Sequence, residues 1–129
     1  MEKKKLVFYK CQHCGNIAIK VYDAGVSLVC CGEKMVELIP DTTDAALEKH
    51  VPDVTVDGNN VHVQVGSEKH PMLDVHWITF IVLETEQGYQ VKNLDPGEEP
   101  VADFAVLPGD KPVRVYENCN LHGLWVKEL

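Results

Sequence analysis

The sequence lacks any long apolar run. None of its apolar stretches approaches the roughly 18 consecutive residues that a membrane-spanning helix needs, and the best of them, residues 77–83, is interrupted by Thr79. We also expect no secretory signal, because the apolar stretch behind the basic start, residues 6–9, is too short for a signal-peptide core. We therefore expect a cytoplasmic protein without a membrane partner.

Positive charge is scarce. Twelve Lys and Arg residues face twenty Asp and Glu residues, giving a formal charge of −8, which argues against nucleic acid as the main partner. The imbalance is uneven: residues 1–40 carry six basic and four acidic side chains, whereas residues 41–129 carry six and sixteen. Because Pro40 lies where the balance changes, we expect two domains, 1–38 and 39–129.

Helical periodicity is almost absent, and one short candidate helix covers residues 43–49. Strand-like runs separated by Gly, Pro, Asn and Asp fill residues 54–126, and Asp57 to Asn60 have the composition of a hairpin turn. Seven or so short strands at this spacing predict a mainly β fold with an immunoglobulin-like antiparallel sandwich in the second domain. The first domain has fewer than 40 residues, too few to fold alone without a metal or disulfide.

Five cysteines are present, and four of them lie in the first quarter of the chain, at Cys11, Cys14, Cys30 and Cys31. A C-x-x-C loop followed by Gly15, and an adjacent cysteine pair fifteen residues later, offer four thiolates to one tetrahedral ion. A structural zinc ion is the simplest occupant. The unusual adjacent pair gives a weak indication of a redox-active iron, and disulfides are disfavoured in the cytoplasm. His13 is expected to face solvent.

The fifth cysteine, Cys119, stands three residues before His122, a spacing that allows thiolate and imidazole to bind one ion. His50, His70 and His76 lie in turns or at strand ends, where they are free to converge with this pair. Five such donors exceed what zinc usually takes and suit iron with one position left open. Spacing alone leaves ordinary loop histidines as the alternative, and His62 is expected to point away from the core.

Several motifs, taken together and in this order, resemble desulfoferrodoxin, the two-iron form of superoxide reductase. The likeness runs almost from end to end of the chain. The N-terminal part is similar to desulforedoxin, a small rubredoxin-like iron domain, in residues 9–16 and 28–32. The later part is similar in residues 48–52, in residues 70–72, at His76 and in residues 119–125.

This resemblance implies two non-haem iron ions. The first would be held by Cys11, Cys14, Cys30 and Cys31, and the second by four equatorial histidines, His50, His70, His76 and His122, with Cys119 as axial ligand. It also implies catalytic roles for two further residues. Glu48 would bind the iron in the oxidised resting state, and Lys49 would attract superoxide and help its protonation.

The implied activity is one-electron reduction of superoxide to hydrogen peroxide without dioxygen production, a detoxifying reaction under oxidative stress. The resemblance further implies a rubredoxin-like electron donor and a homodimer. A non-catalytic iron electron-transfer protein is the principal alternative. A zinc-stabilised binding module and a superoxide dismutase are two others.

Overall fold

Strands make up most of the regular structure in residues 5–129, the part of the chain that this computed structural model describes. The predicted mainly β class is confirmed. The chain divides into two units, Met1–Ile39 and Pro40–Leu129. The described part of the first unit holds β1 (Phe8–Lys10), β2 (Ile17–Ile19), β3 (Val29–Cys30), β4 (Glu33–Lys34) and β5 (Val36–Leu38).

In the first unit, β1 is the middle strand of an antiparallel sheet with the order β2-β1-β5. β3 and β4 form a separate hairpin whose two-residue turn is Cys31-Gly32. Both turn residues have positive φ angles, 52° and 75°, as the type I′ turns that connect twisted antiparallel strands require. Cys31 therefore adopts a conformation that few residues other than glycine favour, next to a glycine that adopts it freely.

Among the described residues, those of Pro40–Leu129 form one short helix and seven strands, which build two antiparallel sheets with the orders β10-β7-β6 and β12-β11-β8-β9. The elements are α1 (Leu47–His50), β6 (Pro52–Asp57), β7 (Asn60–Val65), β8 (Ile78–Thr85), β9 (Tyr89–Asn93), β10 (Val101–Ala105), β11 (Pro112–Cys119) and β12 (Gly123–Glu128).

The core of this unit lies between the two sheets. Along β7, Val61, Val63 and Val65 are fully buried and alternate with partly exposed residues, so one face of the strand points inward. They share one hydrophobic cluster with Leu83 and Val115 of the other sheet. The two sheets therefore pack as a sandwich, and His62 points off the core face, as predicted.

The helix is shorter than predicted and begins later. Residues 43–46 are irregular, and α1 covers Leu47–His50. The preceding segment is instead bound to β12: the Asp41 N–H donates to the carbonyl of Leu124, and the Val126 N–H donates to the Asp41 carboxylate, both at 3.0 Å. Ala46 has an extended backbone and supplies no side-chain cap, so the helix begins only at Leu47. No helix among residues 5–129 has the length and apolar character needed to cross a membrane.

Candidate metal centres

Four sulfur atoms come together in the first unit. All their Sγ atoms lie within 4.8 Å of one another, and we name them the four-cysteine set: Cys11, Cys14, Cys30 and Cys31. Cys30 Sγ lies 3.6 Å from Cys14 Sγ and 3.9 Å from Cys31 Sγ, and none of the four is in a disulfide. A tetrahedral ion with metal–sulfur bonds of about 2.3 Å has sulfur–sulfur edges of about 3.8 Å. These separations therefore fit four ligands around one ion.

Local backbone geometry builds this set from two turns. After β1, the Gly15 N–H donates to the Cys11 carbonyl at 3.0 Å, and Gly15 has the positive φ of 86° that the tight turn needs. The Cys14 N–H points at Cys11 Sγ, 3.4 Å away. The second turn is the hairpin that carries Cys31. His13 lies exposed in the first turn, as predicted.

Cys11 and Cys31 differ in acidity. Hydrogen bonding from the Cys14 backbone N–H, the largest effect, lowers the pKa of Cys11 to about 6. The side-chain hydrogen bond with Cys14 is the largest of the effects that raise the pKa of Cys31 to about 12. Cys11 thus forms a thiolate readily, while Cys31 holds a proton that a metal ion would displace.

A second group of donors meets in Pro40–Leu129, at one end of the sandwich. The histidine–cysteine set consists of five residues whose ligand atoms all lie within 4.8 Å of one another: His50, His70, His76, Cys119 and His122. His50 ends α1, His70 follows the turn after β7, and His76 precedes β8. Cys119 ends β11, and His122 lies in the turn before β12.

The four imidazoles close a ring of contacts. His50 contacts His70 and His122 with ring centroids 4.8 Å apart in both cases, and His76 contacts the same two rings at 4.6 and 5.2 Å. Every contacting pair is close to perpendicular, with interplanar angles between 76° and 86°. Cys119 is buried within the hydrophobic core cluster, and its Sγ lies 3.7 Å from His122 Nδ1.

Hydrogen bonds turn the inner ring nitrogens toward a common point. The Nδ1–H groups of His50 and His70 donate to the carbonyls of Ala46 and Pro71, both at 2.7 Å. Such bonds fix the tautomer that leaves Nε2 available as a ligand atom. Within residues 5–129, the buried Nε2 atoms of His70 and His76 have no hydrogen-bond partner. Buried polar atoms are rarely left unpaired, so this donor set fits a metal ion.

The electrostatics of the set suit metal binding. Burial is the largest of the effects that lower the pKa values of His50, His70 and His76, and that of His70 falls to about 4. Neutral imidazole, the form that binds metal, is therefore present at neutral pH. Burial also raises the pKa of Cys119, while the backbone N–H groups of Leu121 and His122 oppose that change by stabilising its thiolate.

The two predicted catalytic residues lie beside this set, in α1. Glu48 is exposed and Lys49 is half-buried. After burial and His122, the charge of Lys49 is a further cause of the lowered pKa of His76. In the opposite direction, the charge of Glu48 is a small contribution to the pKa of His50, which burial mainly lowers. Both side chains are thus within electrostatic range of the histidines.

Sequence reasoning assigned no role to three side chains around this set. Trp125, which is buried, packs on His50 with centroids 5.2 Å apart, and its Nε1–H donates to the His122 carbonyl at 3.1 Å. The Asn120 side chain bonds the Trp77 N–H at 2.9 Å and the Val75 carbonyl at 3.0 Å, so it fastens the loop after Cys119 to the segment that carries His76. Both lie in residues 119–125, one of the stretches that carry the resemblance, which gave neither of them a role.

The third side chain is Glu117, fully buried on β11 two residues before Cys119. Neither of its carboxyl oxygens has a hydrogen-bond partner within residues 5–129. Burial, with a smaller contribution from the charge of Asp41, raises its pKa well above the ordinary value.

Comparison with known proteins places both donor sets in one family. Residues 3–38 match the N-terminal domain of desulfoferrodoxin, and residues 42–128 match desulfoferrodoxin itself. The desulfoferrodoxin of Nitratidesulfovibrio vulgaris is 46% identical over 120 residues, covering 93% of this chain and 94% of its relative. That of Syntrophotalea carbinolica is 43% identical over 125 residues, covering 97% and 98%.

Solved structures give the same result for the fold. The superoxide reductase from Treponema pallidum superposes with a TM-score of 0.82 at 37% identity, covering 97% of this chain and 100% of that one. A superoxide reductase from Giardia intestinalis covers 64% of this chain and 99% of its own, with a TM-score of 0.53 and 35% identity. The four-cysteine set and the histidine–cysteine set match the two iron centres of the desulfoferrodoxin family.

Proposed function

The chain belongs to the desulfoferrodoxin family, and from this membership and the geometry of its donor sets we propose that it is a superoxide reductase. The enzyme adds one electron and two protons to superoxide and releases hydrogen peroxide, without producing dioxygen. The observation that carries the proposal is the convergence of four imidazoles and one thiol on one point, with two buried Nε2 atoms left unpaired within residues 5–129.

We assign the second iron to the histidine–cysteine set and the first to the four-cysteine set. Five protein donors exceed the four that zinc normally takes, and an iron ion that prefers six ligands has room for one more. Bound there, iron supplies the electron to superoxide. On this assignment, residues 1–38 form the desulforedoxin-like domain and residues 39–129 the superoxide reductase domain.

The protein residues prepare this chemistry before substrate arrives. The Ala46 and Pro71 carbonyls orient the imidazoles of His50 and His70, and burial keeps both rings neutral. Cys119, approaching from the core, donates electron density as a thiolate, which the Leu121 and His122 backbone N–H groups stabilise. The ligand shell is therefore largely preorganised, which lowers the reorganisation needed during the reaction.

The positive charge of Lys49 opposes the negative charge of the rest of its unit. Residues 41–129 carry six basic and sixteen acidic side chains, so the unit as a whole repels the superoxide anion. A half-buried ammonium group within electrostatic range of His76 makes the approach locally attractive. We assign Lys49 to attract superoxide and assist its protonation, and Glu48 to bind the oxidised iron in the resting state.

The wider setting of the protein follows from the same proposal. We assign a rubredoxin-like external electron donor, a cytoplasmic location and a homodimer. All five cysteines are free thiols, as in proteins of reducing compartments. Exposed apolar side chains on the first unit, such as Val21 at 91% and Tyr22 at 84%, support association between copies of the chain.

Metal analysis and product stoichiometry test the proposal. We expect two irons per chain, and one hydrogen peroxide formed per superoxide consumed, with turnover requiring an external reductant. Dioxygen release without a reductant would indicate dismutation instead. Iron that neither consumes superoxide nor binds azide would indicate an electron-transfer protein, and zinc in both sites would overturn the redox assignment.

Replacing Glu48 tests its assignment separately. The Glu48→Ala variant is expected to reduce superoxide at close to the wild-type initial rate, because the carboxylate binds only the oxidised iron. Its oxidised visible spectrum is expected to differ from that of the wild type. An identical oxidised spectrum would remove Glu48 from the ligand set.

A further inference from the structure

The turn between β7 and His70 is held by hydrogen bonds within the turn and by hydrogen bonds to β7. The Gly66 N–H donates to the Glu68 carbonyl at 3.0 Å, and the Gln64 side-chain amide donates to the Gly66 carbonyl at 2.8 Å. The His70 N–H then returns to the carbonyl of the fully buried Val65 at 2.7 Å. The turn is therefore fixed to the core strand at one end and to a ligand candidate at the other.

This turn also holds the backbone of α1. The Glu48 carbonyl accepts two hydrogen bonds from it, one from the Glu68 N–H at 2.9 Å and one from the Ser67 hydroxyl at 3.2 Å. The peptide that joins Glu48 to Lys49 is thus anchored to residues 67 and 68. The N-terminus of α1 has no side-chain cap, and the helix has only four residues, so it depends on contacts such as these from outside the helix.

Close packing explains why a glycine stands at position 66. A Cβ atom built there would lie 2.6 Å from the Glu48 carbonyl oxygen, 2.9 Å from that of Val51 and 3.0 Å from the Lys49 carbonyl carbon. All three are backbone atoms, which cannot move aside by a side-chain rotation. The φ angle of Gly66 is not in the left-handed region, so space and not backbone conformation demands the glycine.

We propose that Gly66, Ser67 and Glu68 form a positioning turn that sets the Glu48–Lys49 backbone against the histidine–cysteine set. The proposal rests on the superoxide reductase function assigned above. Gly66 is a positioning residue, since it acts through the backbone of Glu48 and Lys49. The turn links these two side chains to His70 through one short run of hydrogen-bonded backbone.

Replacing Gly66 by alanine tests the proposal, and Gly88→Ala is the matched control. Gly88 lies in the same unit, has no neighbour within 4 Å of its added Cβ and has an ordinary φ angle. We expect Gly66→Ala to retain two irons per chain and an unchanged four-cysteine spectrum. Its oxidised spectrum should shift toward that of Glu48→Ala, and its superoxide rate should fall about 10- to 100-fold. Gly88→Ala should match the wild type in every measurement.

A double substitution separates positioning from general damage. If Gly66 acts through Glu48, adding Gly66→Ala to Glu48→Ala will shift the oxidised spectrum no further than Glu48→Ala does alone. Hydrogen exchange supplies a readout that needs no iron: the Glu68 amide should exchange faster in Gly66→Ala, because its bond to the Glu48 carbonyl is lost. Additive spectral shifts, or wild-type exchange at Glu68, would overturn the proposal.

Ser67→Ala covers the case in which Gly66→Ala does not fold. It removes one of the two bonds to the Glu48 carbonyl and introduces no clash, so a smaller spectral shift in the same direction is expected. A wild-type spectrum in Ser67→Ala would then overturn the proposal. A wild-type protein without superoxide reductase activity would overturn the proposed function alone, since the exchange measurement at Glu68 still decides the role of the turn.

Discussion

Replacing Trp125 by phenylalanine is expected to weaken iron binding at the histidine–cysteine set while leaving the four-cysteine set unchanged. Trp125 supports two ligand candidates at once, through its ring on His50 and its Nε1–H on the His122 carbonyl. Phenylalanine retains an aromatic ring but has no N–H. The substitution therefore removes the hydrogen bond to His122 and only part of the packing on His50.

The structure allows the size of this effect to be worked out. A neutral hydrogen bond of 3.1 Å to a half-buried carbonyl contributes about 1 kcal/mol. The ring contact with His50 contributes about 0.5–1 kcal/mol, of which phenylalanine loses a part. A total of about 1–2 kcal/mol corresponds to a loss of about 5- to 30-fold in affinity, within the range seen when outer partners of metal ligands are removed.

Chelator competition measures the effect within one molecule. Ferrous protein is titrated with a chelator, and release from each set is followed by its own absorption, so the four-cysteine set serves as the internal reference. Trp77→Phe, which replaces the only other tryptophan of the sequence, is the control. Equal affinity in Trp125→Phe and the wild type would refute the reasoning, as would an equal loss at both sets.

Three further predictions concern substrate attraction, packing and pH. Lys49→Ala should slow superoxide reduction and weaken or invert its dependence on ionic strength, whereas Lys127→Ala, which removes an exposed lysine, should change both less. Stopped-flow rates at several salt concentrations measure this effect. An unchanged rate and salt dependence in Lys49→Ala would rule out its role in attracting superoxide. Tyr116→Phe should lower the free energy of unfolding by about 1–2 kcal/mol, because it removes a buried 3.1 Å hydrogen bond to the Glu84 carboxylate. Urea titration of the variant and the wild type measures the difference, and a difference near zero would contradict the prediction. The metal-free protein should lose stability as the pH falls from about 6.5 toward about 4, because His70 takes up a proton in the unfolded chain, whereas burial lowers its pKa to about 4 in the folded protein. The free energy of unfolding lost through this residue is about 2 kcal/mol at pH 5. An equal pH dependence in His70→Gln would assign the loss to other groups.

Local patterns predicted most of the strands well. The alternation of Val61, Val63 and Val65 and the turn at residues 58–59 gave β6 and β7 almost as observed, because a hairpin depends on neighbouring residues. Long-range contacts set the limits elsewhere. His76, expected in a turn or at a strand end, lies two residues before β8 and is paired with Leu73 in an isolated bridge.

The two donor sets differ in how far sequence reasoning reached. The four-cysteine set depends on two short turns, so the spacing of its cysteines was enough to predict that their sulfurs share one site. The histidine–cysteine set draws on three separate stretches of the second unit, at His50, at residues 70–76 and at residues 119–122, and spacing accounted for the pair Cys119 and His122 alone. The positions of the other three histidines allowed them to converge with that pair, and the resemblance to desulfoferrodoxin assigned them to it.

What the sequence by itself determined is therefore the class of fold, the chemistry of the donors and the family, because these reside in residue types, alternation and short motifs. The tertiary structure alone decided which ring nitrogens face inward, which carbonyls hold them and why Gly66 lies against α1. Those features arise where segments distant in sequence pack together, and local sequence patterns do not predict how closely two such segments approach. The physical reason is that a ligand set is defined by the convergence of donors, which only the packed sandwich brings about.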